Sequence, residues 1–304
     1  MQIILRTVFI VVLFLSVGTR TTAQLSDFYS DTLRKDRVRA VAISGTGGYA
    51  ITMTGLYQLW YKDFESTSFH FFNDNRDWLQ MDKAGHAYSA FLLSDLTYDA
   101  LRFSGLNNTN AALYAGTAGF LSVSTIEFFD AFYDGWGFSW GDIAANATGS
   151  ALFTAQQIAW EEQRIRMKFS FSRTTYPQYR PGTLGSNYIE EMTKDYNGQS
   201  YWLSVNPASF TDWDFLPDWL NIAVGYSGDG MLGGSENPEY SNGNKLPHFD
   251  RNRQFYLSPD VDFSKIPTRS KALKFVFKAL NYVKVPAPAM RLQNGEIRFF
   301  GIYR

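Results

Sequence analysis

The texture of this chain changes once along its length, and that change limits the folds open to it. From about residue 46 to 166 it reads as four helical segments. From about Met167 it breaks into short aromatic and β-branched runs, several of them alternating. The helices fall at 46–61, from about Leu79 to Phe103, across "NNTNAALYAGTAGFLSVSTIEFFDAFY" with Asn108 or Thr109 as its cap, and across "SWGDIAANATGSALFTAQQIAWEEQRIR". Short connections make neighbours antiparallel, so a compact bundle is the economical packing. The later runs, "MKFSFSR", "YWLSVNP", "LNIAVGYS", "QFYLSPDVDF" and "EIRFFGIY", are expected to be about five strands separated by Gly, Pro, Asn and Asp. Whether they form a sheet against the bundle or a small open barrel is left undecided. The expected class is α+β: an N-terminal bundle of about four helices (46–166), then a β-rich region (167–304) with one amphipathic helix.

The chain opens with "MQIILRTVFIVVLFLSVGTRTTAQ", in which Arg6 precedes an apolar run from Val8 to Val17 and small residues precede Gln24. This is the layout of a secretory signal peptide over 1–23, too short to span a bilayer comfortably. Residues 24–45 then read as a linker. The expected destination is the periplasm or the outer membrane. Aromatic residues make up 17% of the chain, which suits a protein at an apolar–aqueous boundary. A net charge of −1 argues against a nucleic-acid partner. The absence of cysteine excludes disulfide-linked partners, thiolate metal sites and a lipid on an N-terminal cysteine. The expected partner is membrane lipid or another envelope protein.

The late helix, "SKALKFVFKALNYVKV" (270–285), places Leu273, Val276, Phe277 and Leu280 on one face and Lys271, Lys274 and Lys278 on another side. Those lysines are candidates for contact with an anionic membrane surface. The plainer reading is a half-buried helix with solvated lysines.

Chemistry-bearing residues gather on three of the four helices. Asp82 and His86 stand four apart on the second, with Lys83 between them and Ser89 continuing the line. Glu127, Asp130 and Asp134 share a stripe on the third. The fourth opens on Ser139, followed by Asp142, Asn146 and Gly149 on one face. Each piece has a bland explanation. Ser139 with Asp142 resembles a capping box, Asp82 suits a helix N-terminus, Asp130 and Asp134 could be solvated, and a single histidine on an apolar helix is most often a hydrogen-bonded core residue. Three stripes on neighbouring helices are harder to explain separately.

The order of these residues also carries a resemblance. Asp82-Lys83-Ala84-Gly85-His86, then Glu127-Phe128-Phe129-Asp130, then Gly137-Phe138-Ser139-Trp140-Gly141-Asp142 with Asn146 and Gly149, resembles the pattern of the YfiM-like envelope proteins. These are a small family of lipoproteins of uncharacterised function. More distantly the pattern is similar to that of the VanZ-like membrane proteins. The resemblance covers about 79–150, roughly a quarter of the chain. It implies an envelope location and brings no proven chemistry. The chain departs from the family in lacking the lipidated cysteine.

Two functions follow. The preferred one is non-enzymatic: a structural or interaction protein of the envelope whose Asp82, Lys83, His86, Glu127, Asp130, Asp142 and Asn146 form one buried polar network. The alternative is a hydrolase acting on an envelope lipid, phosphate ester or glycan. There His86 would be base or nucleophile oriented by Asp82, and Lys83 would stabilise negative charge. No cofactor is firmly implied. A divalent metal on His86, Asp82, Glu127 and Asp142 is the one candidate. Geometry separates the two functions: a sealed, fully paired cluster favours structure, and a solvent-reachable cleft favours chemistry.

Overall fold

The computed structural model describes residues 25–303 apart from 63, 212 and 214; the expected signal peptide lies outside the described residues. Four long helices precede the sheet: α1 (Lys35–Leu56), α2 (Met81–Phe103), α3 (Asn108–Asp130) and α4 (Trp140–Trp160). The first begins well before residue 46, so much of the segment expected to be a linker is helical. Three of the four make the tight core. Phe91 and Tyr98 of α2 meet Ala111, Ala112 and Ala115 of α3 and Phe153 of α4, all buried. Helix α1 buries none of its side chains. It is tied on from outside by a 2.6 Å hydrogen bond between Tyr49 and Thr125 and by Arg37 donating to the Phe103 carbonyl at 2.9 Å. Among the described residues no helix is long and apolar enough to cross a membrane.

Small residues set the spacing of the three core helices. A Cβ on Gly149 of α4 would stand 1.9 Å from the Ala87 carbonyl oxygen of α2, and one on Gly119 of α3 would stand 2.7 Å from that of Ala90. Backbone therefore meets backbone on either side of α2. Two helix ends differ from expectation. Asn107, rather than Asn108 or Thr109, caps α3, its side chain accepting the Asn110 N–H at 2.9 Å. Asn108 is occupied instead by the Tyr98 hydroxyl at 2.7 Å. Helix α4 stops at Trp160 rather than running to Arg166. Glu161 turns left-handed (φ 58°), and the Gln156 side chain brackets Ile165 through both its N–H and its carbonyl, which starts the first strand.

That strand, β1 (Ile165–Phe171), begins a six-stranded antiparallel sheet with β2 (Gln199–Val205), β3 (Leu220–Asp229), β6 (Asn252–Val261), β7 (Ala287–Gln293) and β8 (Glu296–Tyr303), in the order β1-β2-β3-β6-β7-β8. The class is α+β. Short helices α5 (Pro181–Leu184) and α6 (Tyr188–Lys194) bridge β1 to β2. Strand β7 escaped the sequence reading because "APAMRLQ" carries two alanines and Pro288, none of them strand signals. A two-residue hairpin, β4 (Tyr240–Ser241) with β5 (Asn244–Lys245), sits in the long loop before β6 and turns on Asn242-Gly243 at positive φ.

Helix α7 (Lys271–Leu280) keeps half of its expected apolar face inside, since Phe277 and Leu280 pack on the core, but it is rotated from expectation. Lys274 and Phe277 are its buried residues, whereas Leu273 and Val276 are exposed. Lys278 reaches inward to α2, 2.7 Å from Asp95 and 2.9 Å from Asp99. Two of the three lysines proposed for a membrane surface are thus turned inside; for Lys278, paired carboxylates on α2 offset the cost of burying an ammonium. Asp95 also receives the Tyr282 hydroxyl at 3.1 Å and lies 3.4 Å from Arg166 of β1, so this cluster fastens sheet to bundle.

Enlarging Gly149 tests the spacing. Gly149→Val should force α2 and α4 apart and destabilise the chain by about 3 kcal/mol, read as a fall of several degrees in melting temperature. Gly48→Ala, on exposed α1 with nothing within 4 Å of its Cβ, should leave melting unchanged or raise it slightly.

Candidate functional site

The three polar stripes converge. Asp82, Lys83 and His86 occupy the first two turns of α2, Glu127 and Asp130 the last turn of α3, and Asp142 and Asn146 the first two turns of α4. The centre is His86. Its Nε2 is 3.7 Å from Asp82 Oδ1, 3.6 Å from Glu127 Oε1 and 4.0 Å from Asp142 Oδ1. On the other side of the ring, Nδ1 lies 3.1 Å from Asn146 Oδ1. Asn146 donates its amide to Ser124 at 3.3 Å, so its oxygen is the atom facing the imidazole and accepts the Nδ1 proton. Neutral His86 therefore carries its lone pair on Nε2, aimed at three carboxylates.

Lys83 is the second cation. Its ammonium lies 2.6 Å from Asp74, 3.0 Å from Asp142 and 3.3 Å from Asp82. Ser139, the α4 cap, accepts the Asp142 N–H at 3.2 Å and donates its hydroxyl to Asp74 at 2.6 Å. The capping reading of Ser139 holds, and the same side chain anchors a site residue. Glu127 Oε2 accepts the Ser139 N–H at 3.0 Å, while its buried Oε1 accepts no hydrogen bond. Asp130 accepts the Tyr61 hydroxyl at 2.5 Å. Asp134, expected on the same stripe, lies beyond the end of α3 at Asp130, is exposed and takes no part.

Acids outnumber bases, and the protonation equilibria follow. Burial pulls the His86 pKa down, but Asp82, Asp142 and Glu127 outweigh it and push it up to about 9. Burial raises Glu127 to about 8, with Asp142 and Asp130 adding to it, and burial raises Asp130 to about 7. Asp142 is likewise raised by burial and by Asp82. Asp74 is lowered, because hydrogen bonds from Lys83 and Ser139 outweigh its burial. Lys83 is raised by Asp82, Asp142 and Asp74 against the pull of its own burial.

Part of this cluster opens onto a cleft of about 290 Å³, with Lys83, Glu127 and Asn146 behind its wall. Asp74, Asp77, Asp82, His86, Ser89, Asp130 and Asp142 line it, facing aromatic walls from Trp60, Tyr61, Trp78, Trp136, Tyr196 and Tyr201. Tyr196, from the segment between β1 and β2, donates its hydroxyl to Asp82 at 2.8 Å. Gly85 leaves room for the Tyr201 hydroxyl of β2, which would lie 2.8 Å from a Cβ there. One rim is strained: Trp78, Leu79 and Gln80, just before α2, all have left-handed φ (48°, 53° and 64°). Non-glycine residues held there cost on the order of 1–3 kcal/mol each. Contacts hold them in place: the Trp78 N–H reaches the Gly234 carbonyl at 2.9 Å, Tyr226 donates to the Leu79 carbonyl, and Arg253 donates to Gln80 at 2.6 Å.

Sequence reasoning found Asp82, Lys83, His86, Glu127, Asp130, Asp142 and Asn146, and the fold brings all seven together. It missed Asp74, Asp77, Tyr61, Tyr196 and Tyr201. The acidic "NDNRDW" just ahead of α2 was the available signal for the first two. The tyrosines have none, since Tyr196 and Tyr201 arrive from the β-rich half.

Asp82, His86 and Asp142 each offer a donor atom within 4.8 Å of the others, a separation that one divalent cation could bridge. The donor set is oxygen-rich with one imidazole, and Asn146 supplies the outer hydrogen bond that orients a ligating histidine.

Comparison with known proteins adds one match. A family model described as "Predicted periplasmic lipoprotein (DUF2279)" matches residues 70–156, the stretch that supplies Asp74, α2, α3 and most of α4. The likeness supports an exported, cell-envelope location and a family of unknown function; the YfiM-like and VanZ-like names go further than it does. Comparisons with curated proteins and with solved structures gave no match.

The raised pKa values predict how stability depends on pH. The stabilisation from His86, about 3 kcal/mol from a pKa moved from 6.5 to about 9, is fully present below about pH 6.5 and is lost as pH rises through about 9. That from Glu127, whose pKa moves from 4.5 to about 8, is present below about pH 4.5 and is lost as pH rises through about 8. Melting temperature of metal-free protein should therefore fall as pH rises from about 5 to about 9, with Glu127 contributing up to about 8 and His86 from about 6.5 to about 9. Glu127→Gln keeps an acceptor for Ser139 and should flatten that fall, whereas Asp134→Asn should leave it unchanged.

Proposed function

We propose that the cleft is the active site of a divalent-cation-dependent hydrolase of the cell envelope, acting on an envelope lipid, phosphate ester or glycan. The observation that carries this reading is the excess of carboxylates around His86 Nε2 in a cleft that solvent reaches. A network built only for stability balances its charges and closes over them. Here Glu127 Oε1 accepts no hydrogen bond and faces the imidazole, with Asp82 and Asp142 beside it.

A divalent cation held by Asp82, His86 and Asp142 would lower the pKa of a coordinated water and polarise a substrate oxygen. The remaining chemistry belongs to the chain. Asn146 keeps the Nδ1 proton of His86 engaged, so Nε2 is the working nitrogen. Glu127 lies behind the imidazole, its Oε1 3.6 Å from Nε2, and positions the ring. Lys83 stays charged and stabilises negative charge developing on the substrate. Tyr196 holds Asp82 in one orientation. The aromatic walls exclude water from part of the cleft and offer flat apolar surfaces to the rest of the substrate.

The structural-network reading keeps one observation in its favour: Lys83 already joins Asp74, Asp82 and Asp142, so part of the cluster is a lock between helices. Calorimetric titration of the chelator-treated chain with Mn²⁺ and with Zn²⁺ separates the two. The hydrolase reading expects one ion per chain, a rise in melting temperature with ion concentration, and at least about tenfold weaker binding in His86→Ala. No binding by wild type, with a large loss of melting temperature in His86→Ala, would sink it in favour of the lock.

A further inference from the structure

The sheet has its polarity turned inside out. Its inward face is built from Trp202, Ala223, Tyr256 and Ala289, but among them lie charges and amides. Lys168 pairs with Asp260 at 2.8 Å, both fully buried, and Ser204 donates to Asp260 at 2.6 Å. Gln254 donates to Gln293 at 3.0 Å. The outward face is mostly apolar. Strand β6 alternates Gln254, Tyr256, Ser258 and Asp260 inward with Phe255, Leu257 and Pro259 outward; Arg253, at the near end of the outward side, turns to Gln80. An antiparallel sheet with water on one side shows the reverse alternation.

The register extends this face across five strands. Leu203 of β2 pairs with Val224 of β3, Val224 with Leu257 of β6, Leu257 with Met290 of β7, and Met290 with Phe299 of β8. A flanking row runs from Phe255 through Leu292 to Ile297, beyond Tyr226, which packs on the turn ahead of α2. No position in either row is charged. Exposure is high, 53% at Val224 and 81% at Phe299. At the end where β2 gives way to β3, Trp213 (57% exposed) stacks on Phe215 (75% exposed) with ring centroids 5.5 Å apart.

We propose that this outward face is seated in the acyl layer of a lipid membrane. Two observations favour lipid over a protein partner. The first is the inversion itself: the Lys168–Asp260 pair turned in and uncharged rows turned out match the alternation of strands whose outer solvent is hydrocarbon. The second is the exposed Trp213–Phe215 stack at the strand ends, where aromatic rings sit at headgroup depth. Because β1 and β8 are the sheet's edges and hydrocarbon cannot satisfy bare strand backbone, the face is seated in the membrane rather than closed into a spanning barrel. The surface involved is this sheet face, not the lysines of α7.

Flotation of the purified chain with neutral phosphatidylcholine vesicles, after detergent removal, tests the seat. Wild type should float equally at low and high salt, since no charge is involved. Val224→Gln with Leu257→Gln, both at exposed positions, should cut the bound fraction about tenfold or more while far-ultraviolet circular dichroism stays unchanged. His86→Ala should float like wild type, so this result and the cation titration stand or fall separately. Failure of wild type to float would overturn the proposal. So would a dimer in solution that the double substitution splits while wild type ignores vesicles, since the face would then join two copies of the chain.

Discussion

Six carboxyl groups, Asp74, Asp77, Asp82, Glu127, Asp130 and Asp142, crowd around one ammonium and one imidazole at the ends of three packed helices. Carboxylates withdrawn from water repel one another strongly unless protons or cations stand between them. Every notable feature of the cleft answers that constraint. Protons stay on His86 and Glu127 at neutral pH. Tyrosine hydroxyls reach Asp82 and Asp130 from distant parts of the chain. Lys83 bridges three acids at once. What is left over is negative charge facing solvent, which is the ordinary preparation for a bound cation.

The chain contains a useful internal contrast. At the junction of bundle and sheet, Asp95 and Asp99 of α2 are also buried, yet Lys278, Arg166 and the Tyr282 and Tyr29 hydroxyls reach them. That cluster is balanced and joins the two halves of the fold. The His86 cluster lies at the opposite end of the same helix and is unbalanced. One helix thus carries a structural charge network and a chemically poised one, and the ratio of cations to carboxylates tells them apart.

Packing links the cleft to the rest of the molecule. Close approach of α2 to α3 and α4, allowed by Gly119 and Gly149, brings the three stripes within reach of one imidazole. The β-rich half completes the walls through Tyr196 and Tyr201, and through Tyr226 it holds the left-handed turn ahead of α2 in place. A chain ending after α4 would keep His86 and its carboxylates but lose the tyrosine that orients Asp82 and the contacts that keep the turn strained.

Local pattern in the sequence was enough for the helices from about 79 to 160, for five of the strands and for all seven polar candidates, because helical and strand periodicities are short-range and stripe spacing identifies a shared face. It was enough for the inward convergence too, since three polar stripes on neighbouring apolar helices have few other places to go. Tertiary structure decided the rest. It turned Lys274 and Lys278 inward, because the carboxylates that receive Lys278 lie far away on α2 and an amphipathic pattern does not reveal which face is covered. It recruited Asp74 and the tyrosines, whose positions depend on chain crossings that no local spacing encodes. And it set the polarity of the sheet, because alternation along a strand separates two faces but only the neighbouring elements determine which of them meets solvent.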